Sequence, residues 1–215
     1  MSLCVDILGI KKMQTTNRLR SERPRKKYDF YETPYELCRD ALKTFRIDEK
    51  KFSDIRGLDV GSGNGVWGKV FRHFYAIEPS IGIDINSIPD GIYTLTIQDD
   101  FLNESILTGN DYDLVYGNPP YSLAEEFVRR GIEVVNDGGY VFFLLRLAFL
   151  ESQRRIDLFK ENPPKRVYVL QRRPSFFSAN GRTRTTDATS YAMFLWQKDW
   201  IGKSELDWLY WEYDK

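Results

Sequence analysis

The sequence predicts one α/β domain built on a mostly parallel sheet, and three observations carry that prediction. Short apolar runs alternate with stretches of helical spacing from Gly57 to Gln197. Several runs end in an acid, a glycine or an asparagine, the residue types that turn a chain at the end of a strand. A length of 215 residues is the size of one such domain, with helices on both faces of its sheet. The expected organisation is a basic arm at 1–27, the domain at 28–198 and an acidic, aromatic tail at 199–215 packed on it.

Composition narrows the chemistry. The 31 basic and 31 acidic side chains balance formally. The balance hides an uneven distribution: residues 11–27 hold eight bases against one acid, Glu22, while the tail after Lys198 leans toward Asp and Glu. That arm suits phosphate contact through counterion release, or a solvated terminus, or packing on its own domain. Cys4 and Cys38 lack metal spacing and read as free thiols of a reducing compartment. The only histidine, His73, falls in an expected helix, which argues against metal catalysis and Ser-His-Asp chemistry. Leu3 to Ile10 is too short and too interrupted to span a membrane, and no cleavage-like site follows it. A cytoplasmic protein without a membrane partner is expected.

Taken in order, Thr33 before Pro34 predicts an N-cap with proline at the first helical position of a helix over Tyr35 to Phe45. Such a helix start either caps a surface helix or attracts the carboxylate of a ligand. A strand from Gly57 carries Asp59 into the turn Gly61-Ser62-Gly63-Asn64-Gly65, and Val66 to Tyr75 follows as a helix. Alternate glycines let a backbone approach a ligand closely. The spacing G-x-G-x-G is neither the dinucleotide fingerprint nor the phosphate loop, and no lysine follows to hold a phosphate. Ile81 to Ile85 predicts the second strand, with Asp84 where a carboxylate would accept from two ribose hydroxyls. Tyr93 to Gln98 predicts the third, running into Asp99-Asp100-Phe101. One of those aspartates would accept from an adenine amino group, with Phe101 or Ile85 over the ring. Each acid alone reads as a turn residue, but three after three successive strands make coincidence the weaker explanation.

The fourth strand, Tyr112 to Tyr116, leads into Gly117-Asn118-Pro119-Pro120-Tyr121, with Ser122 to Asn136 as the next helix. Two prolines fix two φ angles and remove two backbone donors, so the loop presents the Asn118 amide and carbonyl oxygens with little freedom. It suits an amino group as donor, although Asn-Pro is also a common turn pair. Tyr140 to Leu147 reads as a central strand, Phe149 to Lys160 as a helix stopped by Asn162-Pro163-Pro164, and Arg166 to Leu170 as a strand. Ser190 to Gln197 is the last core strand, expected to pair antiparallel after a tight return. The segment 171–187 is long for a compact domain and holds four arginines, Phe176-Phe177 and one acid. That composition suits a nucleic acid, with charge for the backbone and a ring for an unstacked base, or a tuck of both phenylalanines under a loop.

The run Asp59-Val60-Gly61-Ser62-Gly63-Asn64-Gly65 together with Asn118-Pro119-Pro120-Tyr121 resembles the S-adenosylmethionine-dependent DNA adenine-N6 methyltransferases. The order matches their subgroup in which a Thr-Pro cofactor segment, here Glu32-Thr33-Pro34, precedes the glycine motif. The match runs from about Tyr28 to Gln197. It implies a Rossmann-like class I fold, with a mostly parallel seven-stranded sheet and one antiparallel strand. It also implies S-adenosylmethionine as cofactor, held by Tyr31, Thr33, Pro34, Asp59, Gly61, Ser62, Gly63, Asp84, Ile85, Asp100, Phe101 and Asn118. Asn118, Pro119, Pro120 and Tyr121 would be catalytic. A flipped base would meet Tyr121, Arg173, Phe176, Phe177, Arg182 and Arg184, since Arg173-Pro174-Ser175-Phe176 is similar to the family's later aromatic motif. The partner implied is DNA, with a second copy or a specificity subunit as further partners. Members often carry a separate recognition domain, and few residues here follow Trp196, so recognition is expected to fall to the arm, the loop or another subunit. Rival readings are an RNA amino-group methyltransferase, a protein-glutamine methyltransferase and a non-catalytic nucleic-acid-binding module.

Overall fold

The computed structural model describes residues 32–48, 55–75, 80–107, 111–177, 184–185 and 188–214. The expected arm at 1–27, Tyr31 and Arg182 lie outside the described residues. The strands are β1 (Gly57–Val60), β2 (Ser80–Asp84), β3 (Leu95–Gln98), β4 (Tyr112–Gly117), β5 (Val135–Arg146), β6 (Arg166–Leu170), β7 (Phe176–Phe177), β8 (Arg184–Thr185), β9 (Tyr191–Gln197) and β10 (Glu205–Leu209). The helices are α1 (Tyr35–Asp48), α2 (Val66–Tyr75), α3 (Ala124–Val134) and α4 (Ile156–Glu161).

Burial dictates which strands lie mid-sheet. The side chains of β1, β4, β9 and the second half of β5 are almost entirely removed from solvent. A strand buried on both faces needs a neighbour on each edge and helices above and below. These four form the centre of an eight-stranded sheet of order β10-β6-β9-β5-β4-β1-β2-β3. Only β9 runs antiparallel, to both β5 and β6, and the other pairs are parallel. From β1 the chain moves outward through β2 and β3, then returns to β4 on the other side of β1. The carboxyl ends of β1 and β4 therefore lie side by side at the point where the winding reverses, which is where open α/β sheets bind ligands.

Two apolar clusters sandwich the sheet. One packs Leu37, Cys38, Ala41, Leu42 and Phe45 of α1 and Trp67, Val70 and Phe71 of α2 against Tyr116, Phe142 and Tyr168. The other packs Phe127 and Val128 of α3 and Leu158 of α4 against Val115, Phe143 and Phe194. The spacing of the α1 residues places one continuous stripe on the sheet. In this way the helices that flank the glycine turn are anchored to the strand that carries Asn118.

Three expectations need correction. The sheet has eight strands rather than seven, because part of the tail pairs with β6 as β10, in register from Glu205↔Arg166 to Leu209↔Leu170. The Phe149 to Lys160 helix is broken into two short 3-10 turns before α4, since the Ser152 hydroxyl accepts from Arg154 N and starts a new turn. The helix expected over Ser122 to Asn136 begins as a 3-10 turn over Tyr121–Leu123 and ends at Val134, where β5 takes over.

Two tail residues, Leu209 and Trp211, enter the core. Trp211 is only 1% exposed, and its Nε1 donates to Arg172 O at 3.2 Å. Trp211→Ala is expected to lower unfolding free energy by about 3–5 kcal/mol, the range for deleting a buried aromatic. Urea unfolding of wild type and variant measures it, and a loss under about 1 kcal/mol would make the tail a surface appendage.

Candidate active site

The site begins as two turns that share one gap. Gly61, Gly63 and Gly65 have φ of 68°, 52° and 74°, a region that side-chain-bearing residues rarely adopt. Gly61 N and Ser62 N both donate to Ile83 O, at 2.9 and 3.1 Å, which pins the turn to the end of β2. A Cβ placed on Gly61 would lie 3.8 Å from Asn118 O and from Pro120 Cδ, so it would fill the space between the two turns.

Asn118 is held from outside the sheet. Its Nδ2 donates to Thr33 Oγ1 at 3.1 Å, and Trp67 Nε1 donates to the same oxygen at 3.3 Å. Thr33 is 4% exposed. The first bond of α1 runs from Cys38 N to Pro34 O, so Thr33 is not the N-cap the sequence predicted. Its hydroxyl faces inward, taken by two side-chain donors, and orients the Asn118 amide. Pro34 is buried at the start of α1, Pro119 is buried and Pro120 half-buried.

Asp59 sits behind the turns rather than in the gap. It is fully buried and accepts from Tyr93 Oη at 2.5 Å, while its Oδ1 has no hydrogen-bond partner among the described residues. Burial pushes its carboxyl from the ordinary 3.8 up to about 7. The Tyr93 hydroxyl and the Gly68 amide pull the other way, and the charge of Asp84 adds to the rise. Sequence reasoning passed over Tyr93. Its ring occupies a slot that exists only because Gly65, Gly68 and Gly82 lack side chains: a Cβ on Gly68 or Gly82 would lie 2.2 or 2.6 Å from the ring. Glycines inside a helix and a strand were the available signal.

The second and third acids are partly committed to the backbone. Asp84 Oδ2 accepts from Gly63 N at 3.0 Å, and Oδ1 accepts from Asn86 N and Nδ2 at 2.8 and 3.1 Å. A carboxylate has about four acceptor positions, so three are taken. Asp100 Oδ1 accepts from Leu102 N at 3.0 Å. Ser62 is buried, and Ile85 at 36% exposure offers its side chain to solvent. Phe101 does not: it is 3% exposed and packs 5.2 Å from Phe127, ring centre to ring centre, which removes it as a cover for a ligand ring.

Beyond Asn118 the edge becomes aromatic and basic. The Tyr121 ring centre lies 5.6 Å from that of Tyr191, and the Arg146 guanidinium lies over Tyr121 at 5.0 Å. Phe176 packs on Tyr191 at 5.1 Å and is 2% exposed, so it is a core residue rather than an open face for a base. Arg173 is exposed, and the side chains of Phe177 and Arg184 lie outside the described residues. In backbone terms β7 and β8 pair antiparallel as Phe176↔Thr185 and Phe177↔Arg184. The start of the long segment is tied to the tail by Ser175 N donating to Tyr213 Oη at 3.0 Å and Gln171 Nε2 donating to Trp211 O at 2.8 Å.

No protein-family model and no curated protein matches the chain. Solved structures do. The chain is similar to a candidate class I S-adenosylmethionine-dependent methyltransferase from Listeria monocytogenes, at TM-score 0.59 and 16% identity, covering 83% of this chain and 64% of that one. It thus spans less than two thirds of that protein's length. It is also similar to a candidate RNA methyltransferase from Pyrococcus horikoshii, at TM-score 0.58 and 12% identity over 82% of this chain and 90% of that one. A candidate O-methyltransferase from Agrobacterium tumefaciens matches at 0.55 and 14%, over 82% and 85%. The fold is the Rossmann-like fold of class I methyltransferases. No helix among the described residues is long and apolar enough to cross a membrane.

Asp59 makes stability depend on pH. Because its folded pKa lies above the ordinary 3.8, folding favours the neutral form; the stability it contributes is full below about pH 4 and is lost as pH rises through about 7. A shift of this size corresponds to about 4 kcal/mol. Asp59→Asn is expected to flatten that decline in urea unfolding measured from acid to neutral pH. A decline that persists unchanged in the variant would place the titrating group elsewhere.

Proposed function

We propose that the chain transfers a methyl group from S-adenosylmethionine to the exocyclic N6 amine of adenine in DNA, with the base turned out of the duplex. The observation that carries this reading is the Asn118 amide, oriented by Thr33 and set directly beside the glycine turn. The residues present fit the cofactor. The gap at Gly61 admits close approach, and Glu32, Asp84 and Asp100 give that half of the edge the charge that suits a cation. Ile85 is the exposed apolar side chain available to an adenine face.

When bound, S-adenosylmethionine supplies a methyl group on a sulfonium, already a strong electrophile. The chain's task is then to orient a weak nucleophile. Asn118 Oδ1 and the Pro119 carbonyl accept the two N–H bonds of the amine, favour a pyramidal nitrogen and aim its lone pair. Preorganised acceptors of this kind also stabilise the positive charge that develops on nitrogen. The rigidity comes from two sources: two prolines in the loop, and the Thr33 bond that holds the amide plane. Tyr121 offers a ring for the extruded base, whose extrusion costs a few kcal/mol and whose stacking returns about 1–3 kcal/mol. No base needs to act before transfer, because the proton leaves a nitrogen that has already become cationic. The arginine-rich half of the edge favours a polyanion over a protein glutamine.

The test is transfer of labelled methyl from S-adenosylmethionine to duplex DNA, single-stranded DNA, RNA and protein, followed by nucleoside and amino-acid analysis. N6-methyladenine in DNA is the expected product; label confined to RNA or to glutamine would sink the reading. Asn118→Ala is expected to lower kcat by about 10²–10³ or more, the scale for removing one preorganised group, while calorimetric cofactor affinity stays nearly unchanged. A parallel loss of both would make Asn118 a structural or cofactor-holding residue rather than one that acts on the amine.

A further inference from the structure

Arg146 is the last residue of β5, and nothing in the reaction just described uses it. Parallel register pairs Gly117 with Phe143, so β5 runs three residues past the end of β4 and delivers Arg146 alongside the Asn118 to Tyr121 loop. The side chain is exposed, and among the described residues it forms no ion pair. Its guanidinium carbon lies over the Tyr121 ring, 5.0 Å from the ring centre. An exposed cation–π contact of this kind is weak, so it biases the long side chain toward the ring and leaves it free to move to a stronger partner. Tyr191, opposite Arg146 in the β5–β9 register, supports the ring from another side at 5.6 Å.

The charge around it points one way. Arg146 at the end of β5 and Arg172 and Arg173 past the end of β6 are exposed, and Arg172 is already engaged with Tyr213 at 4.9 Å. Among the described residues Arg146 is thus an exposed cation without an ion pair that lies against Tyr121 of the proposed target position. Its planar fork of N–H donors matches phosphate oxygens. A nucleotide carries its phosphate on the same sugar as its base, so a cation on Tyr121 is within one nucleotide's reach of a base seated there. A base arriving on that ring also competes with the guanidinium for the same face, and a phosphate gives the displaced cation a destination.

We propose that Arg146 is the phosphate clamp of the target nucleotide: held on the Tyr121 ring in the free protein, its guanidinium passes to a phosphate flanking the extruded adenine as the base takes its place. This rests on the reading of the chain as a DNA methyltransferase. It deepens that reading by making a flanking phosphate part of substrate recognition. A free nucleoside, or a glutamine in a protein, lacks the group that Arg146 binds.

The test compares wild type, Arg146→Gln and Arg146→Lys as full chains on duplex DNA, with binding followed by anisotropy over a salt series and methyl transfer followed over a DNA series. One lost phosphate contact flattens the slope of log affinity against log salt by about 0.9. Arg146→Gln is expected to show that change, with kcat/KM about tenfold lower and the loss carried mainly by KM. Arg146→Lys, which keeps the charge without the fork, is expected to recover the slope but only part of KM. An Arg146→Gln protein with the wild-type salt slope and a loss confined to kcat would reduce Arg146 to a support for Tyr121 and overturn the proposal alone. A wild-type chain that methylates no DNA would instead remove the reading beneath it.

Discussion

The site depends on how closely β4 is allowed to approach β1 at their carboxyl ends. A Cβ on Gly117 would lie 2.7 Å from Val60 O and 3.1 Å from Asp59 Oδ1, and Gly117 has φ of 143°. Only glycine meets both conditions, the contact and the backbone angle. With Gly117 in place, Asn118 is carried directly over Gly61, and the two turns face each other across a gap of one methyl group. Thr33 then reaches the Asn118 amide from the start of α1, a residue 85 positions away in the chain. Any larger residue at 117 would lift the loop off β1 and break that alignment, whatever the chemistry of Asn118 itself.

Charge along the sheet edge follows the same division at β1 and β4. Glu32, Asp84 and Asp100 lie beside the ends of β1 to β3, whereas Arg146 ends β5 and Arg172 and Arg173 lie beyond the end of β6. The acids are not simply available charge. Asp84 ties Gly63 to Asn86, and Asp59 is sealed under Tyr93 with its pKa near neutrality. A buried carboxyl costs least when neutral, so the turn is built over a group whose charge is sensitive to a cation placed nearby. Structure and electrostatics are thus supplied by the same residues on this half of the edge.

Much of the fold was legible because its signals are local. Alternating apolar runs marked the central strands, and α2 and β6 fall at their expected residues because a glycine turn and a proline pair punctuate them. The two turns of the candidate site were legible for the same reason, since their glycines and prolines act on neighbouring dihedrals. What was not legible depends on partners far away in sequence. Phe101 and Phe176 adjoin polar motifs and read as ligand-facing rings, yet Phe127 and Tyr191 bury them. Tyr93 needs glycines contributed by a turn, a helix and a strand. β10 was not read as a strand, because its alternating apolar residues Leu206 and Trp208 lie on an exposed face and only Leu209, with Trp211 just after the strand, turns inward.

That last strand bears on how a loop can recognise anything. An arginine-rich segment gains specificity only if its base is fixed, since each side chain ordered on binding costs about 0.5–1.5 kcal/mol. β10 and the residues after it supply the anchor. Gln171 N donates to Leu209 O at 3.1 Å, Ser175 N donates to Tyr213 Oη at 3.0 Å, and Arg172 lies over Tyr213 and Trp211. These contacts order the segment up to Phe176, where it enters the core against Tyr191, which in turn supports Tyr121. A continuous line of packed aromatics therefore joins the anchored base of the loop to the tyrosine of the Asn-Pro-Pro-Tyr turn. The tail is thus joined to Tyr121 by packing that runs through Phe176 and Tyr191.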